Sequence, residues 1–195
     1  MTETDPLAKS NASQPKPSGR TRDEYLALRR AYEPETFNVI IVAESPPASG
    51  KYFYDPDGAA SEPLFAALMK ALKVVPETKA VGLRAFQQRG WALVDATYEP
   101  VNKLSDSGRN AVILRDYPAL RDDLATLTKP RSVPIILIKA NVCRLLESRL
   151  VEDGFHVLND GQVVYFPANG RQGDFHRQFG AVLRSAGIGK SGFQK

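Results

Sequence analysis

Short apolar runs rich in β-branched residues alternate with helical patterns along the middle of this chain. The runs are continuous and not interleaved with polar residues, which is typical of parallel strands covered on both faces. They occupy residues 37–43, 91–94, 133–138 and 163–166. Strands that alternate with helices favour a mostly parallel sheet between two helical layers. The sequence therefore predicts a three-layer α/β/α fold with a central, mostly parallel four-stranded sheet.

Four helical patterns lie between and after these runs. One is predicted over 61–74, where Pro63 suits a first turn, and a second begins at Asp116. A third is capped by Asn141 and ended by Gly154. The last carries apolar residues at helical spacing, namely Phe175, Phe179, Val182 and Leu183.

The composition of the two ends differs from that of the middle. Residues 1–20 are rich in Ser, Thr, Asn, Pro and Lys, so we expect a disordered N-terminal tail. Residues 189–195 are expected to form a flexible C-terminal tail. Between them, 21–188 has the length of a single α/β domain.

The positive charge of the chain is concentrated at these ends. The net charge is +4, and the segments 1–22 and 190–195 each carry +2. Residues 23–189 are therefore electrically neutral, so the total charge alone is weak support for nucleic-acid binding.

Cysteine and histidine are scarce. The single Cys143 excludes an internal disulfide and any metal or iron–sulfur site held by several thiolates. His156 and His176 are too few for a histidine-rich site. We therefore expect no metal and no cofactor. No apolar run approaches the roughly 18 residues of a membrane span, and the N-terminus is polar, so we expect a cytoplasmic protein without membrane association.

The loop after the first predicted strand is the most distinctive local feature. It reads Ala43-Glu44-Ser45-Pro46-Pro47, and two consecutive prolines make a stiff turn that can hold Glu44 at a fixed angle. The aromatic residues at 52–54 can offer a stacking surface to a flat ring. The alternative is a rigid surface loop with a solvated Glu44 and aromatic side chains in the core.

This loop resembles the first motif of the uracil-DNA glycosylase superfamily, most of all the small bacterial branch that reads Gly-Glu-Ala-Pro-Gly. Glu44 and Pro46 fall in register with the Glu and Pro of that motif. The resemblance implies that Glu44 positions the hydrolytic water and that Ser45 and Pro46 lie against the substrate. An aromatic residue about ten positions later stacks on the flipped base, which points to Phe53 or Tyr54.

Further motifs of the family follow in order over residues 37–185. The strand that ends in a base-reading Asn resembles 91–100, with Asp95 in the place of the Asn. The motifs Cys-x-Pro-Tyr-Leu and Gly-x-x-Ala resemble 116–120 and 138–141, where Lys139 replaces a glycine. The closing His-Pro-Ser motif corresponds to 166–170.

Two departures from the family concern the chemistry. Phe166 replaces the histidine that stabilises the departing base, so the remaining donors are Lys139, Asn169 and the backbone N–H groups of 167–170. Asp95 replaces the amide that reads uracil, and an ionised carboxylate offers only acceptors, which suits a base with an exocyclic amine. Alternatively, Asp95 caps its loop or pairs with Lys103.

Basic residues follow the last motif, where the family's loop enters the minor groove. Arg171, His176 and Arg177 are candidates for DNA phosphate contacts, with a solvated helix start as the alternative. The resemblance as a whole implies a DNA glycosylase that hydrolyses the N-glycosidic bond of uracil or another damaged or modified base. The alternatives are an inactive DNA- or base-binding member, and an enzyme acting on free nucleotides. The oligomeric state is left open.

Overall fold

The computed structural model describes residues 19–129 and 131–188. Six helices and three strands follow one another in these residues. The strands are β1 Val39–Ala43, β2 Trp91–Asp95 and β3 Ile135–Leu137. The helices are α1 Arg22–Arg30, α2 Pro63–Leu72, α3 Lys79–Gln88, α4 Asp106–Leu127, α5 Ala140–Glu152 and α6 Gln172–Ser185. None of the described helices combines the length and the apolarity that crossing a membrane requires.

The sheet is parallel and has β1 at its centre, in the order β2-β1-β3. Every residue of the three strands is buried, as their unbroken apolar runs predict. Ala43 lies opposite Asp95 at the carboxyl ends of β1 and β2. The loops after these two strands therefore leave the same edge of the sheet side by side.

The sheet has one strand fewer than predicted, because residues 163–166 form no strand. The side chain of Asn159 occupies the free edge of β3, where it accepts from the Leu137 N–H at 2.7 Å and donates to the Leu137 carbonyl at 3.0 Å. Backbone pairing beyond β3 is reduced to an isolated bridge between Ile135 and Val157. The Val164 carbonyl is still held by the Lys139 N–H at 2.7 Å, so the segment passes close to the sheet without joining it.

Two apolar clusters cover the two faces of the sheet. Val39 and Ile41 point to the side where α1, α2, α3 and α6 pack. Ile40 and Val42 point to the side of α4 and α5. This alternation along one buried strand gives helices on both faces of the sheet.

Helix boundaries differ from the prediction where capping was assigned to the wrong residue. Helix α4 begins ten residues before Asp116, because the Ser105 hydroxyl accepts from the Gly108 N–H at 3.2 Å, and the helix continues through Pro118. Helix α2 begins at Pro63 after Glu62, which provides no side-chain cap. Helices α1 and α3 were not predicted. Gly154, with φ +83°, ends α5 as expected.

The start of the described chain is attached to the domain. Arg20, which composition assigns to the N-terminal tail, forms a salt bridge with Asp55 at 2.5 Å and donates to the Gly50 carbonyl at 3.0 Å. Thr21 and Glu24 cap the first turn of α1 reciprocally. The rest of the predicted N-terminal tail, residues 1–18, and the predicted C-terminal tail, 189–195, lie outside the described residues.

Candidate active site

A cavity of about 310 Å³ opens at the carboxyl ends of β1 and β2. This is where ligands bind in open parallel sheets. We call it the strand-end cavity. The proline-rich loop forms one wall, through Glu44, Ser45, Pro46 and Pro47. The other walls include Tyr52, Phe53, Leu64, Phe65, Leu93, Asp95, Asn102, Lys139 and Phe166.

Glu44 lies in this cavity and is only 6 % exposed. Its Oε1 atom accepts from Asn141 Nδ2 at 2.7 Å and lies 3.7 Å from Arg109 Nε. Its Oε2 atom accepts from Lys139 Nζ in a salt bridge. A buried carboxylate is stable when it is paired and hydrogen-bonded in this way. The alternative of a solvated Glu44 in a surface loop is therefore wrong.

Local contacts on both sides of the cavity fix the position of Glu44. The Glu44 carbonyl accepts from the Thr97 N–H at 3.1 Å, beyond the end of the β1–β2 pairing. The Ser45 hydroxyl accepts from the Val101 N–H at 3.4 Å, and Asn102 Oδ1 accepts from the Ala48 N–H at 2.8 Å. These bonds fasten the stiff proline-rich loop to the loop that follows β2.

The turn between β3 and α5 delivers the partners of Glu44. Lys139 has φ +81°, a left-handed conformation that is unusual for a side-chain-bearing residue, and it precedes α5 without giving a side-chain cap. The prediction that Asn141 caps this helix is wrong, because its amide is hydrogen-bonded to Glu44. The strained turn thus places a cation and an amide donor on one carboxylate.

Asp95, at the end of β2, differs from Glu44 in having few polar contacts. It is 5 % exposed, lines the cavity, and its Oδ2 atom is buried without a hydrogen-bond partner within the described residues. Burial raises the pKa of Asp95 to about 7, the Arg29 guanidinium opposes this rise, and the negative charge of Glu44 adds to it. Asp95 therefore gains or loses its proton near neutral pH. The expectation of an always ionised Asp95 that accepts from an exocyclic amine does not fit this environment.

The raised pKa of Asp95 makes stability depend on pH. Between its ordinary value of 3.8 and about 7, the native state keeps a proton that the unfolded state has lost. The free energy of unfolding therefore falls as pH rises through this window, by at most about 1.4 kcal/mol per pH unit. Asp95→Asn should flatten this dependence and raise the melting temperature more at pH 8 than at pH 5, whereas the exposed Asp57→Asn should change neither. An equal effect at both pH values would contradict this.

The three consecutive aromatic residues divide between the cavity and the core. Tyr52 and Phe53 line the cavity, and the Tyr52 hydroxyl is buried without a partner within the described residues. Tyr54 is fully buried outside the lining, where it accepts from the Leu93 N–H at 2.7 Å and donates to the Leu93 carbonyl at 3.2 Å. Of the two candidates for stacking on a base, only Phe53 faces the cavity.

Tyr54 is therefore expected to act on stability. Its hydroxyl satisfies the outer backbone groups of Leu93 on β2, which is an edge strand. Tyr54→Phe leaves those groups unpaired in the core, so we expect the free energy of unfolding to fall by about 1–3 kcal/mol. Denaturant titration should show this loss, with the half-buried Tyr165→Phe unchanged. A change of less than about 0.5 kcal/mol in Tyr54→Phe would contradict the assignment.

The remaining predicted residues fall into two groups. Lys139 and Phe166 line the cavity together with Ser45 and Pro46. Asn169 does not line it; this residue is exposed in a turn with φ +52°. Asn169 is therefore not placed to donate a hydrogen bond to a departing base in this cavity.

The three predicted DNA contacts lie at the start of α6. Arg171 and Arg177 are exposed, and both lie near Asp174, at 3.8 Å and 2.5 Å. Arg171 also stacks over the ring of Tyr165 at 4.3 Å. His176 is half-buried, and its pKa is lowered by burial and by the charge of Lys70. The two arginines remain accessible to a phosphate, with part of their charge offset by Asp174.

Three contributors to the site were not among the predicted residues. Arg109 and Asn141 contact Glu44, and Tyr52, expected only as part of a stacking surface, has a hydroxyl without a partner within the described residues. Asn141 follows β3 at the same sheet edge, so its position after a strand was an available signal. Arg109 lies in the unpredicted first turns of α4, where nothing in the local pattern marks it. Across residues 19–129 and 131–188, no cluster of three His, Cys, Asp or Glu side chains could hold a metal ion.

No protein-family model matches the sequence. No curated protein matches it either. The function is therefore inferred from the geometry of the strand-end cavity and from the motif resemblance around Glu44.

Proposed function

We propose that this protein is a DNA glycosylase of the uracil-DNA glycosylase type, which hydrolyses the N-glycosidic bond of a damaged or modified base in the strand-end cavity. The observation that carries the proposal is the position of Glu44. It is a buried, salt-bridged carboxylate in an otherwise largely apolar cavity, at the carboxyl end of the central strand. A parallel sheet between helices is compatible with the fold of that family.

A carboxylate at this place suits the chemistry of base excision. When the bond between the base and the sugar breaks, positive charge develops on the sugar and negative charge on the base. The Glu44 carboxylate can stabilise the sugar and accept a proton from the attacking water. Asn141 and Lys139 hold it in one orientation, so little reorganisation is needed during the reaction.

The cavity walls suit a flat ring. Phe53 and Phe166 are aromatic, and Leu64 and Leu93 add apolar surface. Polar side chains line it as well, namely Ser45, Ser49, Lys51, Tyr52, Glu62, Asp95, Asn102 and Lys139 beside Glu44. Aromatic and apolar walls combined with polar groups that can fix an orientation are typical of a site for a heterocycle.

A nucleic-acid substrate is supported by a neighbouring cleft. This cleft shares Lys139 with the cavity and is also lined by Arg109, Asn141 and Arg144. Cations beside a base-sized cavity are what the phosphates flanking a flipped nucleotide require. Asp106 also lines the cleft, 3.8 Å from Arg109, so Arg144 is the cation there that no acidic side chain of the described residues faces within the cleft.

A second candidate is a protein that binds a base without cleaving it. The salt bridge with Lys139 favours it, because this contact occupies Glu44 Oε2, one of the two oxygens available to a water. In the first candidate, Lys139 stays bound to Oε2 and the attacking water donates to a remaining lone pair of the carboxylate. The two candidates differ in product formation, not in affinity for DNA.

The test is a panel of oligonucleotides, single- and double-stranded, carrying uracil, hypoxanthine, xanthine or modified pyrimidines. After incubation with the protein, alkali cleaves every abasic site. We expect strand breaks at one or more of these bases. Binding without breaks on the whole panel would favour the second candidate, and neither breaks nor binding would contradict both.

A further inference from the structure

Three carboxyl groups line the cavity, those of Glu44, Glu62 and Asp95. Glu62 is paired with the buried Lys79 at 2.8 Å, and the environments of the other two differ. Glu44 has three polar partners, two of them cationic. Asp95 has a buried oxygen without a partner within the described residues. The two residues are adjacent in space, because Ala43, the neighbour of Glu44, lies opposite Asp95 in the parallel register. Two carboxyl groups in such different environments within one site can divide the roles of acid and base.

A neutral Asp95 follows from its surroundings. The charged and titratable groups that face it are Arg29, Glu44 and the hydroxyls of Tyr25, Tyr52 and Tyr98. The one cation among them is the Arg29 guanidinium. It donates its hydrogen bonds to Glu33, Asp123 and Tyr98 and not to Asp95. An unpaired buried carboxyl avoids the desolvation penalty of its anion by keeping its proton.

We propose that Asp95 is the general acid of the reaction and donates its carboxyl proton to the departing base. This rests on the proposed function. As the bond between the sugar C1′ and the base nitrogen breaks, its electron pair goes to the base, and the Asp95 proton passes to a ring carbonyl oxygen of that base. Glu44 takes a proton from the water whose oxygen bonds to C1′. The products are the neutral base and the abasic sugar, and the proton on Glu44 returns to Asp95 through solvent.

Other donors that line the cavity are less suited to this step. Lys51 is exposed to solvent. The hydroxyl and amide donors of the lining are not acids, namely those of Ser45, Ser49 and Asn102. The Lys139 ammonium is bound to Glu44. Burial raises the pKa of Tyr52 far above its ordinary value, so its hydroxyl can donate a hydrogen bond but is a very weak acid. The pKa of Asp95, about 7, lies where a general acid transfers protons efficiently at neutral pH. A neutral carboxyl also removes the repulsion that an ionised Asp95 would exert on a base carbonyl.

Leaving-group acidity provides the test. Uracil and 5-fluorouracil differ by one small substituent, and the fluorinated base leaves more readily as an anion. We would measure single-turnover release of both bases from the same deoxyoligonucleotide by wild type and by Asp95→Asn. A missing general acid lowers rates by about 10²–10⁴-fold. We expect a loss of this size for uracil and a loss at least about tenfold smaller for 5-fluorouracil.

The wild-type pH profile tests the same point without a variant. Its uracil rate should fall as pH rises above about 7, where Asp95 ionises, and its 5-fluorouracil rate should fall much less. Equal losses for both bases in Asp95→Asn, with parallel pH profiles in the wild type, would overturn the proposal and leave the proposed function intact. A wild type that releases neither base would overturn the inference for these bases, and the wider panel then decides the proposed function separately.

Discussion

Glu44→Gln is expected to lower the single-turnover rate of base release by about 10²–10⁴-fold. Glutamine has nearly the same shape and can still accept from Asn141, but it carries no negative charge and cannot take a proton from water. The loss should therefore appear in the rate of the chemical step and not in the affinity for DNA. Quenched-flow measurement with enzyme in excess separates the two.

Two controls accompany this variant. Glu152→Gln makes the same chemical change at an exposed position near the end of α5 and should leave the rate unchanged. The melting temperature of Glu44→Gln shows whether the domain remains folded without the salt bridge to Lys139. A folded Glu44→Gln protein with a rate within twofold of wild type would show that Glu44 is not the carboxylate of the reaction.

Arg29→Met is expected to reduce the free energy of unfolding by about 3–5 kcal/mol. Arg29 is 3 % exposed and donates to Asp123 through both terminal nitrogens, at 2.6 and 2.8 Å. It also donates to Glu33 at 2.8 Å and to the Tyr98 hydroxyl at 3.0 Å. Methionine fills much of the volume but leaves two partly buried carboxylates without their cation. This side chain thus attaches α1 to α4.

The matched control for this variant is Arg30→Met, which changes the exposed neighbour of Arg29 on the same helix. Urea denaturation of both proteins should give a large decrease in midpoint for Arg29→Met and almost none for Arg30→Met. Equal midpoints for the two variants would mean that the buried ion pairs contribute no net stability.

Much of the sheet could be predicted because its strands are continuous apolar runs with few competing interpretations. The run at 163–166 has the same composition and yet forms no strand, since Asn159 occupies the edge of β3. No pattern within 163–166 carries that information. The start of helix α4 was predicted wrongly for a different reason. Pro118 is typical of a first helical turn, but the residue that caps this helix is Ser105.

In the site, too, the positions of residues could be predicted from the sequence, but the contacts that distant residues make could not. Glu44 could be predicted from the stiff loop after the first strand, and Asp95 and Lys139 from the motif resemblance. All three lie at the edge where the parallel strands end. The roles of the two carboxyls could not be predicted, since pairing for Glu44 and isolation for Asp95 depend on side chains from α4, α5 and α1. Which of Phe53 and Tyr54 faces the cavity likewise depends on a distant contact, because the Tyr54 hydroxyl is bonded to the backbone of Leu93.

The most direct test of the central claim is the identity of what leaves the DNA. Free base should be measured by mass spectrometry after one turnover on each oligonucleotide of the panel, with wild type, Glu44→Gln and Glu152→Gln in parallel. We predict about one free base for each abasic site with wild type and Glu152→Gln, and almost none with Glu44→Gln. Oligonucleotides that are bound by the wild type and recovered intact at every base would contradict the assignment of this protein as a glycosylase.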